Sequence, residues 1–297
     1  MKILVTGASG FIGGWLVKHL MEEHDLYCPT RKVAALPVHP HVHGIEQDLA
    51  ARIETSRLPA SMDAVIHLAQ SRNFRKFPDQ AMDIFRVNTD STVQWLEYGR
   101  LANIRVFVLA STGGIYGFQS RPIVEKDLPE PSNFYSASKY SAECLVKAYA
   151  DHFATVILRY FFVYGEGQRE MFMPGLATRV LEGAPVTVSG KTGVTMNPIH
   201  VSDAVQATVR ALDVQGQETF NIAGEETVTI RDLAEMIGQF AGRAPVYQFE
   251  SDKGPMAMVA STEKMKLKLG VCPKVLLKEG LDRVVKDLLN GRRGPSS

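Results

Sequence analysis

Residues 6–13 read Thr6-Gly7-Ala8-Ser9-Gly10-Phe11-Ile12-Gly13, and this stretch decides the fold. It follows an apolar run, Lys2–Thr6, and opens an amphipathic stretch that extends from Phe11 to about Glu23. A glycine turn between a strand and a helix lets backbone N–H groups and the helix N-terminus meet a pyrophosphate, and a side chain at the close approach would block that contact. Because the glycines lie in this context, they predict a dinucleotide-binding turn and not a plain structural one.

The alternation of strand-length and helix-length patterns continues outward from this turn. Strand-like runs follow at Asp25–Thr30, Val42–Glu46, Asp63–Leu68, Arg105–Leu109 and Thr155–Tyr160, and helical patterns cover Asp79–Ala102 and Phe134–His152. Strands that are apolar on both sides and alternate with helices are typical of a parallel sheet covered on both faces. The sequence therefore predicts an α/β fold with a Rossmann-type doubly wound parallel sheet.

The pattern loosens after Tyr164, which predicts a second unit. Short helices, turns and isolated strands then surround a helical stretch within Ile199–Leu212 and one further strand at Thr219–Ile222. We expect residues 1–164 plus 197–223 to form the dinucleotide-binding domain. Residues 165–196 plus 224–290 would form a smaller, mixed α/β C-terminal substrate lobe. The polar tail 291–297 (GRRGPSS) is typical of disorder.

Composition narrows the class of protein. The 297 residues carry a formal net charge of +1, which gives no strong field for nucleic acid or a membrane surface. The three cysteines, Cys28, Cys144 and Cys272, form no CxxC pair, which argues against a zinc site or a disulfide framework. This pattern is typical of a protein in a reducing compartment. The first strand begins at Lys2, and no apolar run approaches the ~20 residues that span a bilayer. We expect a cytoplasmic protein with no nucleic-acid or membrane partner.

A tyrosine and a lysine lie four residues apart in the segment Tyr135-Ser136-Ala137-Ser138-Lys139. This spacing places both on one face of a helix. A phenol is a poor base at neutral pH, and a nearby ammonium lowers its pKa so that it can exchange a proton. Such pairs are common on surfaces, but this one opens the helix after the fifth strand, where the redox ring of a dinucleotide should lie. The position predicts a catalytic pair.

The fifth strand leads into Ser111 and Thr112. A hydroxyl at this place can donate a hydrogen bond to a reacting substrate oxygen. The alternative is a turn or capping hydroxyl, the usual role of Ser and Thr at a strand end. The residues alone leave open which of these two hydroxyls would be catalytic.

These motifs together resemble the extended branch of the short-chain dehydrogenase/reductase superfamily, the NAD(P)-dependent epimerase/dehydratase family. The resemblance covers essentially the whole chain and implies a Tyr/Lys/Thr hydride-transfer enzyme with NAD(P). It implies Thr112 as the catalytic hydroxyl, with Ser111 as the second choice. The cofactor-binding residues that the resemblance and the turn imply are Gly7, Gly10, Phe11, Ile12, Gly13, Thr30, Arg31, Lys32, Asp48, Leu49, Leu68, Ala69, Gln70, Asn88, Tyr135, Lys139, Tyr160 and Val163. Further family positions, which we interpret as architectural, are Glu125, Arg159, Tyr164, Gly165, Asp203 and Asn221.

The end of the second strand indicates which cofactor is preferred. The acidic residue that often binds the adenosine ribose is missing, and the strand ends Pro29-Thr30-Arg31-Lys32. A guanidinium and an ammonium accommodate a 2′-phosphate better than a bare diol. The sequence therefore favours NADP over NAD, although Arg31 and Lys32 could also be a solvated loop pair.

Departures from the family pattern bear on the substrate. Members acting on nucleotide-diphosphate sugars usually carry Asn at position 162 and Arg at position 196, and here these are Phe162 and Met196. The dehydratase pair of carboxylates is replaced by Gly113-Gly114, which removes the acid and base of water elimination. Basic residues that could still hold a diphosphate are Arg72, Arg169, Arg179, Lys191 and Lys253. The loop Arg72–Lys76 is expected to overhang the substrate cleft.

Three functions stay open at this stage. The leading one is an NAD(P)-dependent oxidoreductase or epimerase of a nucleotide-diphosphate sugar. The second is an NADPH-dependent reductase of a non-sugar carbonyl compound, and the third is a non-catalytic cofactor-sensing protein. The resemblance also implies a homodimer through the helices around 79–102 and 134–152, to which the apolar positions Trp95, Leu96, Leu145 and Val146 could contribute.

We expect no metal site. The alternating histidines His39, His41 and His43 could share one face, but no carboxylate or cysteine supports them in the sequence.

Overall fold

The computed structural model of the chain describes residues 1–250 and 256–292. Its centre is a sheet of seven parallel strands in the order β3-β2-β1-β4-β5-β6-β9. These strands are β1 (Lys2–Thr6), β2 (Asp25–Thr30), β3 (Val42–Glu46), β4 (Ala64–His67), β5 (Val106–Thr112), β6 (Ala154–Tyr160) and β9 (Gln217–Ile222). The order reverses between β1 and β4, which opens a crevice at the carboxyl ends of these strands. The predicted Rossmann-type sheet is confirmed.

Helices cover both faces of this sheet. Among the described residues, the α-helices of the whole chain, on this sheet and beside it, are α1 (Phe11–Leu20), α2 (Ala81–Phe85), α3 (Ser91–Leu101), α4 (Phe134–Lys147), α5 (Phe172–Glu182), α6 (Val201–Arg210), α7 (Ile230–Ala241) and α8 (Leu277–Arg292). Leu16 of α1 and Val205 of α6 pack in one buried cluster, and Trp95 of α3 and Val146 of α4 pack in another. Because adjacent strand residues point to opposite faces, β1 contributes to both clusters.

The prediction of one long helix over Asp79–Ala102 is wrong in detail. A π-helical turn, Arg86–Asp90, separates α2 from α3. The turn carries Asn88, which is fully buried. Likewise α4 ends at Lys147 and does not reach His152. The strand predicted over Arg105–Leu109 extends through Thr112.

The remaining elements form a second cluster beside the main sheet. Helices α5, α7 and α8 pack together around Leu176, Leu233 and Leu281. The short strands here are β7 (Val186–Ser189), β8 (Thr195–Met196), β10 (Val228–Thr229), β11 (Tyr247–Glu250) and β12 (Ala257–Met258), which form one three-stranded and one two-stranded sheet. The proposed domain boundaries stay a prediction. Helix α8 includes Gly291 and Arg292 of the predicted tail, and residues 293–297 lie outside the described residues.

The suggestion that these apolar residues contribute to a dimer face needs correction. Trp95, Leu96 and Val146 are fully buried in the core of one chain, and Leu145 is half-buried against the same cluster. An amphipathic pattern cannot distinguish a face that packs on the chain's own sheet from a face that packs on a partner. The homodimer therefore stays a prediction, without these three side chains.

Among the described residues, none of the helices combines the length and the apolar character that crossing a membrane requires.

Candidate active site

The glycine turn is a tight junction between β1, β4 and α1. Gly7 has a φ of +71°, and a Cβ there would lie 2.9 Å from the backbone nitrogen of Ala69. A Cβ at Gly13 would lie 2.1 Å from the carbonyl oxygen of Gly7. Both glycines are therefore required by backbone conformation or by close packing of the helix on the strand.

Gly10 differs from its neighbours because it faces open space. It is exposed, and among its non-adjacent neighbours a Cβ would approach only the carbonyl oxygen of Gly7, at 3.0 Å. It is also the N-cap of α1, where no side chain caps the helix and no acidic residue lies in the first turn. Unpaired N–H groups and the positive end of the helix dipole remain available there for an anion. The turn fits the pyrophosphate of a dinucleotide.

The end of β2 lies beside this turn. The Ser9 and Thr30 hydroxyl oxygens are 3.0 Å apart, and the backbone nitrogen of Lys32 donates to Thr30 Oγ1 at 3.3 Å. Arg31 and Lys32 are exposed next to them. Two hydroxyls and two cations thus lie where the adenosine ribose of a dinucleotide would lie.

The candidate catalytic pair, Tyr135 and Lys139, lies on α4, which begins after Asn133. The side chain of Asn133 caps the helix by accepting from the backbone nitrogen of Ser136 at 2.9 Å. Lys139 is buried, and this burial lowers its pKa to about 8, while Glu143 acts in the opposite direction. Because this pKa lies above 7, the ammonium stays charged at neutral pH.

Tyr135 lies one helical turn before Lys139. Its hydroxyl donates to Gln70 Oε1 at 2.8 Å. Burial raises the pKa of Tyr135 to about 12, and a hydrogen bond with Thr112 lowers it by less. The side chain is therefore a neutral phenol at pH 7, ready to give a proton, and it needs further positive charge nearby to act as a base.

The two hydroxyls at the end of β5 point in different directions. Thr112 accepts from the backbone nitrogen of Gly114 at 3.1 Å, and its interaction with the Tyr135 hydroxyl lowers the pKa of that phenol. Ser111 donates to Glu143 Oε1 at 2.5 Å and is buried. The structure thus brings Thr112 to the phenol, and it directs Ser111, the second choice, into the interior. The alternation of side chains along a strand separates the two roles.

A buried polar network lies behind the catalytic pair. Glu143 is fully buried and accepts from Arg159 Nη2 at 2.6 Å and from Arg159 Nε at 3.0 Å. Arg159 also hydrogen-bonds the Tyr116 hydroxyl, which donates to Asn221 Oδ1 at 3.0 Å. Glu125 accepts from the Asn221 backbone nitrogen at 2.9 Å. The architectural interpretation of Arg159, Asn221 and Glu125 agrees with these contacts.

Glu143 was missed by the sequence reasoning, although a signal existed. Tyr135, Lys139 and Glu143 follow one another at intervals of four residues, so all three share a helix face. A carboxylate that continues this helix face into the core needs a buried cation to balance its charge, and Arg159 of β6 is that cation.

Other predicted cofactor residues are placed as follows. Asn88 accepts from the Ser71 backbone nitrogen at 2.9 Å and donates to Ser138 Oγ at 2.9 Å, so its amide ties the segment after β4 to α4. The Tyr160 hydroxyl lies 2.7 Å from Thr208 Oγ1 on α6. The remaining residues are near the carboxyl edge of the sheet or on α1: Phe11, Ile12, Asp48, Leu49, Leu68, Ala69 and Val163.

The candidate diphosphate cations are spread over the molecule. Arg169 pairs with Asp287 at 2.7 Å, and with Arg179 it lines a surface cavity of about 460 Å³. Lys191 is exposed, and Lys253 lies outside the described residues. Arg72 is exposed in the segment that follows β4, and within that segment the Phe74 ring lies 5.2 Å from the Tyr135 ring. The predicted overhang of this loop at the catalytic tyrosine agrees with this contact.

The architectural interpretation of Asp203 agrees with its contacts: it lies in the first turn of α6, which His200 caps, and its Oδ2 accepts from the Val275 backbone nitrogen at 3.1 Å. One interpretation needs correction. The surface histidines do have carboxylates nearby, since His41 Nδ1 lies 2.8 Å from Asp25 Oδ1. Even so, no group of three metal-ligating side chains within residues 1–250 and 256–292 is arranged to hold a metal ion.

Comparisons with known proteins agree with this geometry. The model of the NAD dependent epimerase/dehydratase family matches residues 3–223. An uncharacterised UDP-glucose epimerase of Bacillus subtilis (strain 168) is 29% identical over 95% of this chain and 96% of the relative. A dTDP-4-dehydro-6-deoxyglucose reductase of Escherichia coli is 26% identical over 96% of this chain and 97% of the relative.

Solved structures are similar over the whole chain. The crystal structure of UDP-glucuronic acid 4-epimerase from Bacillus cereus, in complex with UDP-glucuronic acid and NAD, has a TM-score of 0.88 at 28% identity. The match covers 98% of this chain and 99% of that one. This chain belongs to the NAD dependent epimerase/dehydratase family.

Proposed function

We propose that this protein is an NAD(P)-dependent enzyme of the extended short-chain type that transfers hydride at a sugar carbon of a nucleotide-diphosphate sugar, as an epimerase or an oxidoreductase. The observation that carries the proposal is that Thr112, at the end of β5, interacts with the Tyr135 hydroxyl, while Lys139 lies buried one helical turn further along α4. The same edge of the sheet carries the uncapped glycine turn. The relatives and similar structures, which are largely UDP-sugar epimerases, support this substrate class.

Each of the three side chains has a separate task. Tyr135 exchanges the proton of the reacting hydroxyl, and Thr112 donates a hydrogen bond to the same substrate oxygen. Lys139 stays positively charged at neutral pH and stabilises the phenolate that Tyr135 becomes. The bound dinucleotide would supply the hydride acceptor or donor. The glycine turn would hold its pyrophosphate, and Lys139 would hold its nicotinamide ribose.

The experiment that tests the function compares two kinds of assay on the purified protein. Chromatographic separation of epimers, with UDP-glucose or UDP-glucuronate as substrate, measures epimerisation. Spectrophotometric loss of NADPH, with a 4-keto nucleotide sugar or a simple ketone, measures reduction. We expect turnover of a nucleotide sugar in one of these assays. NADPH consumption by simple ketones alone would instead establish the non-sugar carbonyl reductase, which the apolar Phe162 and Met196 would suit.

We further propose that the cofactor site prefers NADP. Arg31 and Lys32 are exposed beside the hydroxyls of Ser9 and Thr30, with no acidic side chain at the end of β2. Replacing Arg31 with Ala is expected to weaken NADP binding about tenfold or more, since a hydrogen bond to a charged group contributes about 1.5–3 kcal/mol. NAD binding should change less than threefold, because NAD lacks the 2′-phosphate.

Isothermal titration calorimetry of both cofactors checks this, with Lys191→Ala as the control for general loss of positive charge. A wild-type protein that binds NAD more tightly than NADP would contradict the preference. A homodimer belongs to the proposal as well, through a surface other than Trp95, Leu96 and Val146.

A further inference from the structure

The residue that contacts the catalytic phenol most directly is one that the three-residue chemistry does not use. Gln70 lies three residues beyond the end of β4, and its Oε1 accepts from the Tyr135 hydroxyl at 2.8 Å. Within the described part of the chain, this is the one hydrogen bond of the Gln70 side chain. The amide nitrogen is therefore not held by another partner there.

The segment that carries Gln70 is fixed independently of any ligand. The backbone nitrogen of Ser71 donates to Asn88 Oδ1 at 2.9 Å, and the Ser71 hydroxyl donates to Asp83. Asn73 Nδ2 donates to the same carboxylate at 3.1 Å. Gln70 is thus presented to Tyr135 by a loop that is bound at several points, so the contact does not depend on a flexible chain.

We propose that Gln70 is a further catalytic residue, which serves both protonation states of Tyr135 by turning its terminal amide. The inference rests on the proposed function of Tyr135 as the proton-exchanging group. A phenol needs an acceptor, and Gln70 Oε1 provides one. A phenolate needs a donor, and Gln70 Nε2 provides that after a half-turn about the terminal torsion, which is broad and roughly two-fold in glutamine.

The proton balance of this step is simple. When Tyr135 protonates the substrate oxygen, its own O–H bond breaks and a substrate O–H bond forms. The phenolate that remains then accepts from Gln70 Nε2, while Thr112 keeps its hydrogen bond to the substrate oxygen. In the reverse direction the phenolate takes the substrate's hydroxyl proton, and Gln70 turns back to accept it as a hydrogen bond. No proton passes to Gln70 itself, because an amide is neither acid nor base near neutral pH.

The other groups that face Tyr135 cannot replace this function. Thr112 approaches from β5, and Lys139 lies on α4 with Glu143 one turn further into the core. The centroids of the Phe74 and Tyr135 rings lie 5.2 Å apart, and the Arg75 guanidinium lies 5.0 Å from the Phe74 centroid. Lys139 can only donate, and Phe74 can do neither. Thr112 can accept and donate, but the proposed function uses its one proton on the substrate oxygen, so the Gln70 amide is the group that remains for both states of Tyr135.

Two variants of matched size separate the contributions. Gln70→Glu keeps the acceptor, removes the donor and adds negative charge, so we expect the pKa of Tyr135 to rise by about one unit and kcat near neutral pH to fall about tenfold. Gln70→Met removes both acceptor and donor, whose effects on the pKa oppose each other. We expect kcat to fall about three- to tenfold with a pH profile shifted by less than about half a unit.

Two measurements test this on the full chain. The first is the pH dependence of kcat. The second is an ultraviolet difference titration of the Tyr135 phenolate in the protein saturated with oxidised dinucleotide, whose positive ring lowers the phenol's pKa, taken against the Tyr135→Phe form of each variant. Gln215→Glu, the same change at an exposed glutamine before β9, is the matched control and should alter neither.

The outcomes distinguish this inference from the proposed function. A phenolate titration and a kcat profile that are the same in Gln70→Glu as in the wild type overturn the role of Gln70, even if nucleotide sugars are turned over. If the wild type turns over no substrate, the proposed function fails. A raised phenolate pKa in Gln70→Glu would then still support Gln70 as the residue that sets the protonation of Tyr135.

Discussion

Replacing Tyr135 with Phe is expected to lower kcat by about 10²–10⁴-fold, the usual contribution of a positioned proton-transfer group. The affinity for NAD(P) should stay within about threefold of the wild type. The change removes one oxygen atom and leaves the ring packed against Phe74. It leaves the glycine turn and Lys139 in place, so the dinucleotide keeps its binding contacts. The measurement is product formation at saturating substrate, together with a fluorescence titration of NADH or NADPH.

Tyr140→Phe is the matched control, because Tyr140 lies on the same helix, directly after Lys139. We expect it to retain most of the activity. Full activity in Tyr135→Phe would end the assignment of the catalytic phenol and with it the hydride-transfer function. A parallel loss of cofactor binding would show instead that the hydroxyl supports the structure of the site.

The fold could be predicted closely from the sequence because its signals are local. The bounds of β2 and β3 agree with the apolar runs to the residue, and the start of α1 follows directly from the glycine turn. Each of these features depends on a few neighbouring residues: apolar runs of strand length, or a turn that only glycine allows. The right-handedness of parallel crossovers then limits the orders in which these strands can lie.

The candidate catalytic pair could be predicted because its spacing along one element is meaningful by itself. Tyr135 and Lys139 share a helix face wherever that helix lies. The choice between Ser111 and Thr112 was different, since it depends on which face of β5 meets the cleft. The contact of Ser111 with Glu143 in the interior favours Thr112 as the proposed hydroxyl.

The contacts that join distant segments could not be predicted. The hydrogen bond from Tyr135 to Gln70 joins residues 65 positions apart, and nothing in either local pattern indicates it. The buried position of Trp95 and Val146 is a related case, since their periodicity only showed that one helix face is apolar. The carboxylate beside His41 is that of Asp25 in β2, a strand that pairs with β3.

Replacing Arg159 with Leu is expected to lower the free energy of unfolding by about 3–5 kcal/mol, the range for breaking a buried ion pair on one side. Glu143 has no exposed surface and accepts from Arg159 at 2.6 Å and 3.0 Å, so the substitution would strand a buried carboxylate. Tyr116 would lose a guanidinium that lies 4.8 Å from its ring centroid. Urea unfolding monitored by circular dichroism measures the change.

The double variant Glu143→Leu with Arg159→Leu is the decisive comparison. Bringing two charges out of water offsets much of their attraction, so removing both is expected to recover most of the stability that the single change loses. Catalysis should not recover with it, because Lys139 then lacks the carboxylate that favours its charged form. Equal destabilisation by the single and the double variant would mean that shape, and not the unpaired charge, determines the loss. A double variant with full activity would show that Lys139 keeps its charge without Glu143, which would confine the network to holding α4 on the sheet.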